Sequence, residues 1–117
     1  ETRVTYQQNF LTYQREKALI IPVKEVAVFA LEFETLFLYT YTGIKHGLLK
    51  KMEYLESVCD PDQFFRINRQ MLVNRNAITS FEPYFNRKIV LELKVRTEEK
   101  PVVSRLKVSP FKDWLEQ

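Results

Sequence analysis

Glycine is nearly missing from this sequence: only Gly43 and Gly47 occur in 117 residues. A Walker phosphate loop and a dinucleotide-binding fingerprint both need several glycines at fixed spacing, because a residue without Cβ lets the backbone turn tightly and approach a phosphate. Nucleotide-binding readings built on those loops are excluded. Cysteine and histidine are scarcer still, with Cys59 and His46 the single representatives. That supply cannot build a disulfide framework, a zinc finger or any Cys/His cluster, so no metal or cofactor is expected. Long apolar runs are absent as well. The longest, at positions 26–31 and 18–21, fall far short of the ~20 residues that cross a bilayer as a helix. Neither a signal peptide at the start of the chain nor a membrane partner is expected. A first residue Glu1 in place of Met is read as excision from a longer protein.

What is present suits one globular domain. Hydrophobic residues make up 45% of the chain and aromatics 14%, against 28% charged, enough apolar surface to offset the entropy of ordering. The net charge is only +3, but it is unevenly distributed. Residues 1–60 carry seven Lys/Arg and eight Asp/Glu, whereas residues 61–117 carry eleven and seven. A local cationic excess favours a polyanion; charge that merely keeps the domain soluble is the other reading.

Alternation with a period of two dominates the pattern. In Lys88-Ile89-Val90-Leu91-Glu92-Leu93-Lys94 it puts Ile89, Leu91 and Leu93 on one face and the charges on the other. Further strands are expected at 10–13, 18–21, 26–31, 36–42 and 77–81, with Tyr84-Phe85-Asn86-Arg87 joining a hairpin. Helical spacing of Leu48, Met52 and Leu55 predicts a helix over 48–57, stopped by Asp60-Pro61. A terminal helix is expected to start with Ser109 as cap and Pro110 as first residue, with Phe111, Trp114 and Leu115 as its apolar stripe. The fold class is therefore mainly β: an elongated antiparallel β-sheet domain with one short internal helix and a short C-terminal helix. It is expected to occupy residues 10–117, after an extended lead-in or linker end over 1–9.

No enzyme is expected. His46 falls in a predicted turn between Lys45 and Gly47, without a nucleophile elbow or cysteine partner nearby. Cys59 ends the amphipathic helix, where a small apolar residue packs. Glu98-Glu99 reads as a hydrated loop pair, and no acid/base pair stands out among the many acids.

The informative stretch runs from Phe64 to Arg75. It holds Arg66, Arg69 and Arg75 without one acid, together with Asn68, Gln70 and Asn74. Guanidinium forks fit phosphate oxygens or the O6/N7 edge of guanine, and amides fit the N6/N7 edge of adenine. A basic edge strand is the plainer reading of the same residues. A second cluster, Val102-Val103-Ser104-Arg105-Leu106-Lys107, ends a strand with Arg105 and Lys107 projecting before the terminal helix. The two segments, distant in sequence, are expected to form one face.

At these segments the chain resembles the LytTR family, the DNA-binding output domain of many bacterial response regulators. The family pattern Phe-x-Arg-x-His-Arg-Ser-x-x-Val-Asn is similar to Phe64–Asn74, and its later Val-Ser-Arg element to Val103-Ser104-Arg105. The run from Ile21 to Phe29 is similar to its opening strands. The resemblance covers roughly residues 10–115. It implies loops, not a recognition helix, entering successive major grooves of double-stranded DNA, with cytoplasmic localisation. It further implies base reading at the Phe33-Glu34-Thr35 turn, at Asn68-Arg69 and at Arg105, with Gln70 and Lys107 nearer the phosphates. The usual His is Asn68 here and the usual Ser is Gln70. Glu34 replaces a basic or amide residue, and an acid there either accepts from cytosine N4 or repels phosphate. Arg66 and Asn74 are read as structural, Arg66 by pairing with a carboxylate across the sheet. The resemblance also implies an upstream receiver domain and pairing of two copies on repeated DNA sites, as in a two-component regulator of transcription. An RNA or single-strand binder and a protein-interaction β module remain the alternatives.

Overall fold

Alternation in the first strand pair folds as a hairpin of β1 (Asn9–Gln14) and β2 (Lys17–Pro22), with Phe10, Thr12 and Ile21 buried and Leu11 and Ile20 facing outward. The computed structural model describes residues 5–117, so of the lead-in expected over 1–9, positions 1–4 lie outside the described residues. The apolar run that follows is β3 (Val26–Glu32), turning into β4 (Thr35–Thr40) and then the short β5 (Lys45–Leu48). Helix α1 (Met52–Val58) leads to β6 (Phe64–Asn68) and β7 (Met71–Asn74). Then come β8 (Ile78–Pro83), β9 (Ile89–Leu93), the two-residue β10 (Val102–Val103) and helix α2 (Val108–Leu115).

A five-stranded antiparallel sheet in the order β5-β4-β3-β7-β6 forms the middle layer. Its central strands are covered on both faces, which is why β3 reads as an almost unbroken apolar run instead of an alternating one. On one face the β1–β2 hairpin and α1 bury Phe10, Ile21, Phe29, Leu38, Met52, Leu55 and Leu72. On the other, the sheet β10-β9-β8 and α2 bury Val28, Ile67, Met71, Val73, Leu91, Val103, Phe111 and Trp114. A bulge between Val26 and Val28 turns both Ala27 and Val28 to this second face. Extents of 45 × 42 × 23 Å make the domain long in two directions and thin in the third.

Several local expectations change. Leu48 ends β5 opposite Leu36, and the helix begins only at Met52; the four-residue spacing of the two side chains is the same in either arrangement, and pairing with β4 decides. His46 consequently lies in a strand opposite Leu38, not in a turn. Strand β4 stops at Thr40, because Gly43, at φ 88°, turns the chain so that Thr40 N–H donates to the Ile44 carbonyl at 3.0 Å. Ala77 belongs to a one-turn 3-10 segment, Arg75–Ala77, ahead of β8. Helix α2 starts at Val108 with Lys107 at its N-cap and no capping side chain, so Ser109 and Pro110 sit inside its first turn. Proline is tolerated there because its missing N–H would have had no helical acceptor.

Candidate nucleic-acid interface

The strand order sends one set of turns to one end of the middle sheet. Antiparallel pairing aligns the end of β3 with the starts of β4 and β7, so the β3–β4 and β6–β7 turns lie side by side. Leu31 N–H donates to the Gln70 carbonyl at 2.8 Å and ties them together. Because Leu48 pairs opposite Leu36, the chain leaves β5 at this same end, carrying Leu49, Lys50 and Lys51 into α1.

The segment after β10 is brought there by three hydrogen bonds to β6. Asn68 Nδ2 donates to the Val102 carbonyl at 2.7 Å, Ser104 N–H to the Ile67 carbonyl at 2.9 Å, and Lys107 Nζ to the Arg66 carbonyl at 3.0 Å. A bulge between Arg66 and Asn68 interrupts the pairing with β7 where this docking occurs. Ser104 accepts through its carbonyl from Lys107 N–H at 2.8 Å, which closes the 3-10 turn Arg105–Lys107.

These parts enclose an open cleft of about 1580 Å³, and all seven residues singled out in the sequence line it: Glu34, Thr35, Asn68, Arg69, Gln70, Arg105 and Lys107. The charges are one-sided. Six Lys/Arg against two Glu give the lining a net +4, while the whole chain carries only +3. The cleft therefore holds the entire cationic excess of the molecule. Its floor is apolar, from Leu31, Leu36, Leu48 and Met52.

Side chains differ in what they leave available. Arg69, Arg105, Gln70, Thr35 and Glu34 are exposed or partly so, and among the described residues Arg69 and Arg105 make no ion pair. Asn68 is engaged on both sides: besides donating to Val102, its Oδ1 accepts from Gln70 N–H at 2.7 Å. One amide N–H and one lone pair stay open. Glu34 and Phe33 both have left-handed backbones, at φ 65° and 50°, in a two-residue turn that usually takes Asn-Gly.

The other arginines of the basic stretch have internal partners. Arg66 bonds Glu56 at 3.1 Å and Glu53 at 3.3 Å, both from α1 and not from across the sheet, and donates to the Arg69 carbonyl at 2.9 Å. Glu53 is held below the usual carboxylate range, first by its own backbone N–H at the helix start and then by Arg66. Arg75 stacks 4.0 Å from the centre of the Trp114 ring and donates to the carbonyls of Asp62 and Leu115. Asn74 is buried, donates to the Val26 carbonyl and accepts from Gln63 and Asn76. Burial pushes the Cys59 thiol up to about 12, which removes the thiolate needed for reactivity at neutral pH.

Sequence reasoning missed Lys50 and Lys51 as part of this surface, because both fall inside the helix expected over 48–57, whereas the helix begins only at Met52. The dibasic pair was visible; the strand pairing that delivers it to the cleft was not.

Comparison with known proteins follows the same lines. The LytTr DNA-binding domain family matches residues 16–116. The chain is 32% identical over 102 residues to the transcriptional regulatory protein YpdB of Escherichia coli K12, and equally to YpdB of Shigella flexneri. The match covers 86% of this chain and 40% of those relatives, so the chain spans about two fifths of their length. A LytTr DNA-binding domain from Bacillus cereus has the same fold, with a TM-score of 0.80 at 17% identity over 95% of this chain and 99% of that one.

Proposed function

The chain belongs to the LytTr family of DNA-binding domains, and from that premise we propose that its cleft reads a specific double-stranded DNA sequence without catalysis. What supports this is the coincidence of charge and side-chain chemistry: a net +4 lining with two arginines open to solvent, from distant segments, on one face. Arg69 and Arg105 read base edges with their guanidinium forks. Lys50, Lys51, Gln70 and Lys107 meet phosphates, which position the domain and release counterions. Asn68 holds the two loops in register and offers its remaining N–H and lone pair to a base. Thr35 and Glu34 approach from the neighbouring turn.

In the parent protein the domain is the output half of a cytoplasmic, two-component regulator of transcription. The similarity to YpdB, a transcriptional regulatory protein, supports this. Phosphorylation of an upstream receiver domain then promotes pairing of two copies on a repeated site. No helix among the described residues is long and apolar enough to cross a membrane.

The test is selection of binding sites from a random duplex pool, followed by one competition titration of the selected duplex against its two separated strands and a scrambled duplex. Preference for the selected duplex supports the reading. Equal binding of single strands reassigns the cleft to single-strand or RNA binding, and absence of nucleic-acid affinity removes the proposal.

A further inference from the structure

Leu49, Phe33 and Leu106 are the most exposed large apolar side chains among the described residues, at 96%, 84% and 83% of their full accessible surface. All three belong to the same end of the molecule: Leu49 and Leu106 line the cationic cleft, and Phe33 adjoins Glu34 in the β3–β4 turn. Phosphate recognition alone gains nothing from such side chains, since an apolar group next to a phosphate costs solvation and returns no hydrogen bond. A duplex does present one apolar feature to a protein entering the major groove, the 5-methyl group of thymine.

Leu106 is the best placed of the three to meet it. It lies between Arg105 and Lys107 in a single 3-10 turn, so its position is tied to that of a proposed base reader. The turn is pinned at both ends, by Ser104 N–H on the Ile67 carbonyl and by Lys107 Nζ on the Arg66 carbonyl. The leucine thus projects from a fixed backbone. From this geometry we infer that Leu106 is a specificity-determining residue that packs against the 5-methyl group of a thymine next to the base pair read by Arg105. The inference rests on the DNA-reading proposal above and adds a thymine requirement that hydrogen bonding alone does not supply.

Deoxyuridine removes the methyl group and leaves every hydrogen-bonding edge unchanged, so it isolates the contact. The selected duplex is synthesised with each thymine replaced in turn by uracil, and binding is measured for the unmodified domain, for Leu106→Ala and for Leu11→Ala. Leu11 is half-exposed on the β1–β2 hairpin outside the cleft and serves as the control. One position is expected at which uracil weakens the unmodified domain and Leu11→Ala by about fourfold, the worth of one buried methyl group. Leu106→Ala is expected to bind the thymine and uracil duplexes equally there. Equal binding of thymine and uracil at every position by the unmodified domain, a selected site with no thymine, or a uracil penalty that persists in Leu106→Ala overturns the inference while leaving duplex reading intact. A domain that does not prefer the selected duplex over the scrambled one overturns both.

Discussion

Asn68 donates from Nδ2 to the carbonyl oxygen of Val102 at 2.7 Å, across 34 residues of sequence, and so fixes the two cationic loops relative to each other. Its Oδ1 holds the Gln70 N–H in the same turn. Replacing Asn68 by Ala removes both bonds and leaves the part-buried Val102 carbonyl without this partner, while the exposed Gln70 N–H turns to water; the expected cost is about 1–3 kcal/mol. Urea denaturation should show this loss, together with weaker binding of the selected duplex. Unchanged stability would mean that the loops are held together without this amide.

Arg105→Ala should cost about 1–3 kcal/mol on the selected duplex and flatten the preference at one base pair. The side chain is exposed and makes no ion pair among the described residues, so stability should not change. An equal loss on scrambled DNA would make Arg105 a phosphate ligand.

Salt offers a count of phosphate contacts. If about five phosphates are engaged, the logarithm of the association constant should fall against the logarithm of salt concentration with a slope near −4.5. Lys50→Ala should make that slope shallower by about one unit while leaving the base preference as it was. A slope near zero is incompatible with a cleft of this charge acting on DNA.

Glu34 is exposed in the cleft and has no cationic partner among the described residues. It lines the cleft proposed to hold DNA, where a carboxylate repels phosphate, so Glu34→Gln should raise affinity for selected and scrambled duplexes alike. Lost discrimination at a single C·G pair would instead assign Glu34 to cytosine N4.

Alkaline pH should destabilise the fold. The Tyr39 phenol is pushed up to about 12 from 10.0, by burial and then by its 2.6 Å hydrogen bond to the buried Glu32 carboxylate. The Cys59 thiol rises from 9.0 to about 12 through burial. Both protons are held more tightly in the folded chain than in the unfolded one. Their stabilisation is complete below the unfolded values and is lost as pH climbs from 9.0 toward 12. Thermal unfolding followed across that window should show a falling midpoint, less steep in Tyr39→Phe. An identical slope in that variant would remove Tyr39 from the effect.

Strand content was legible because it depends on neighbours in the chain. Alternation in Ile89–Leu93 and the unbroken run of Val26–Glu32 each report how many faces of a strand are covered. The basic stretch and the Val103-Ser104-Arg105 element were legible for the same reason, as residue types at short spacing. Which of those residues remain available to a ligand is another kind of question. Arg66, Arg69 and Arg75 look alike in sequence, yet α1 supplies carboxylates to the first and Trp114 a ring face to the third, leaving Arg69 unpaired among the described residues. Likewise, no local pattern distinguishes Leu48 in a strand from Leu48 in a helix, or brings Lys50 and Lys51 to the cleft. Residue types and period determined the fold class and the chemistry on offer. Tertiary structure alone decided which charges are neutralised internally and which face outward together, because a charge is satisfied by its neighbours in space, and strand order sets those neighbours.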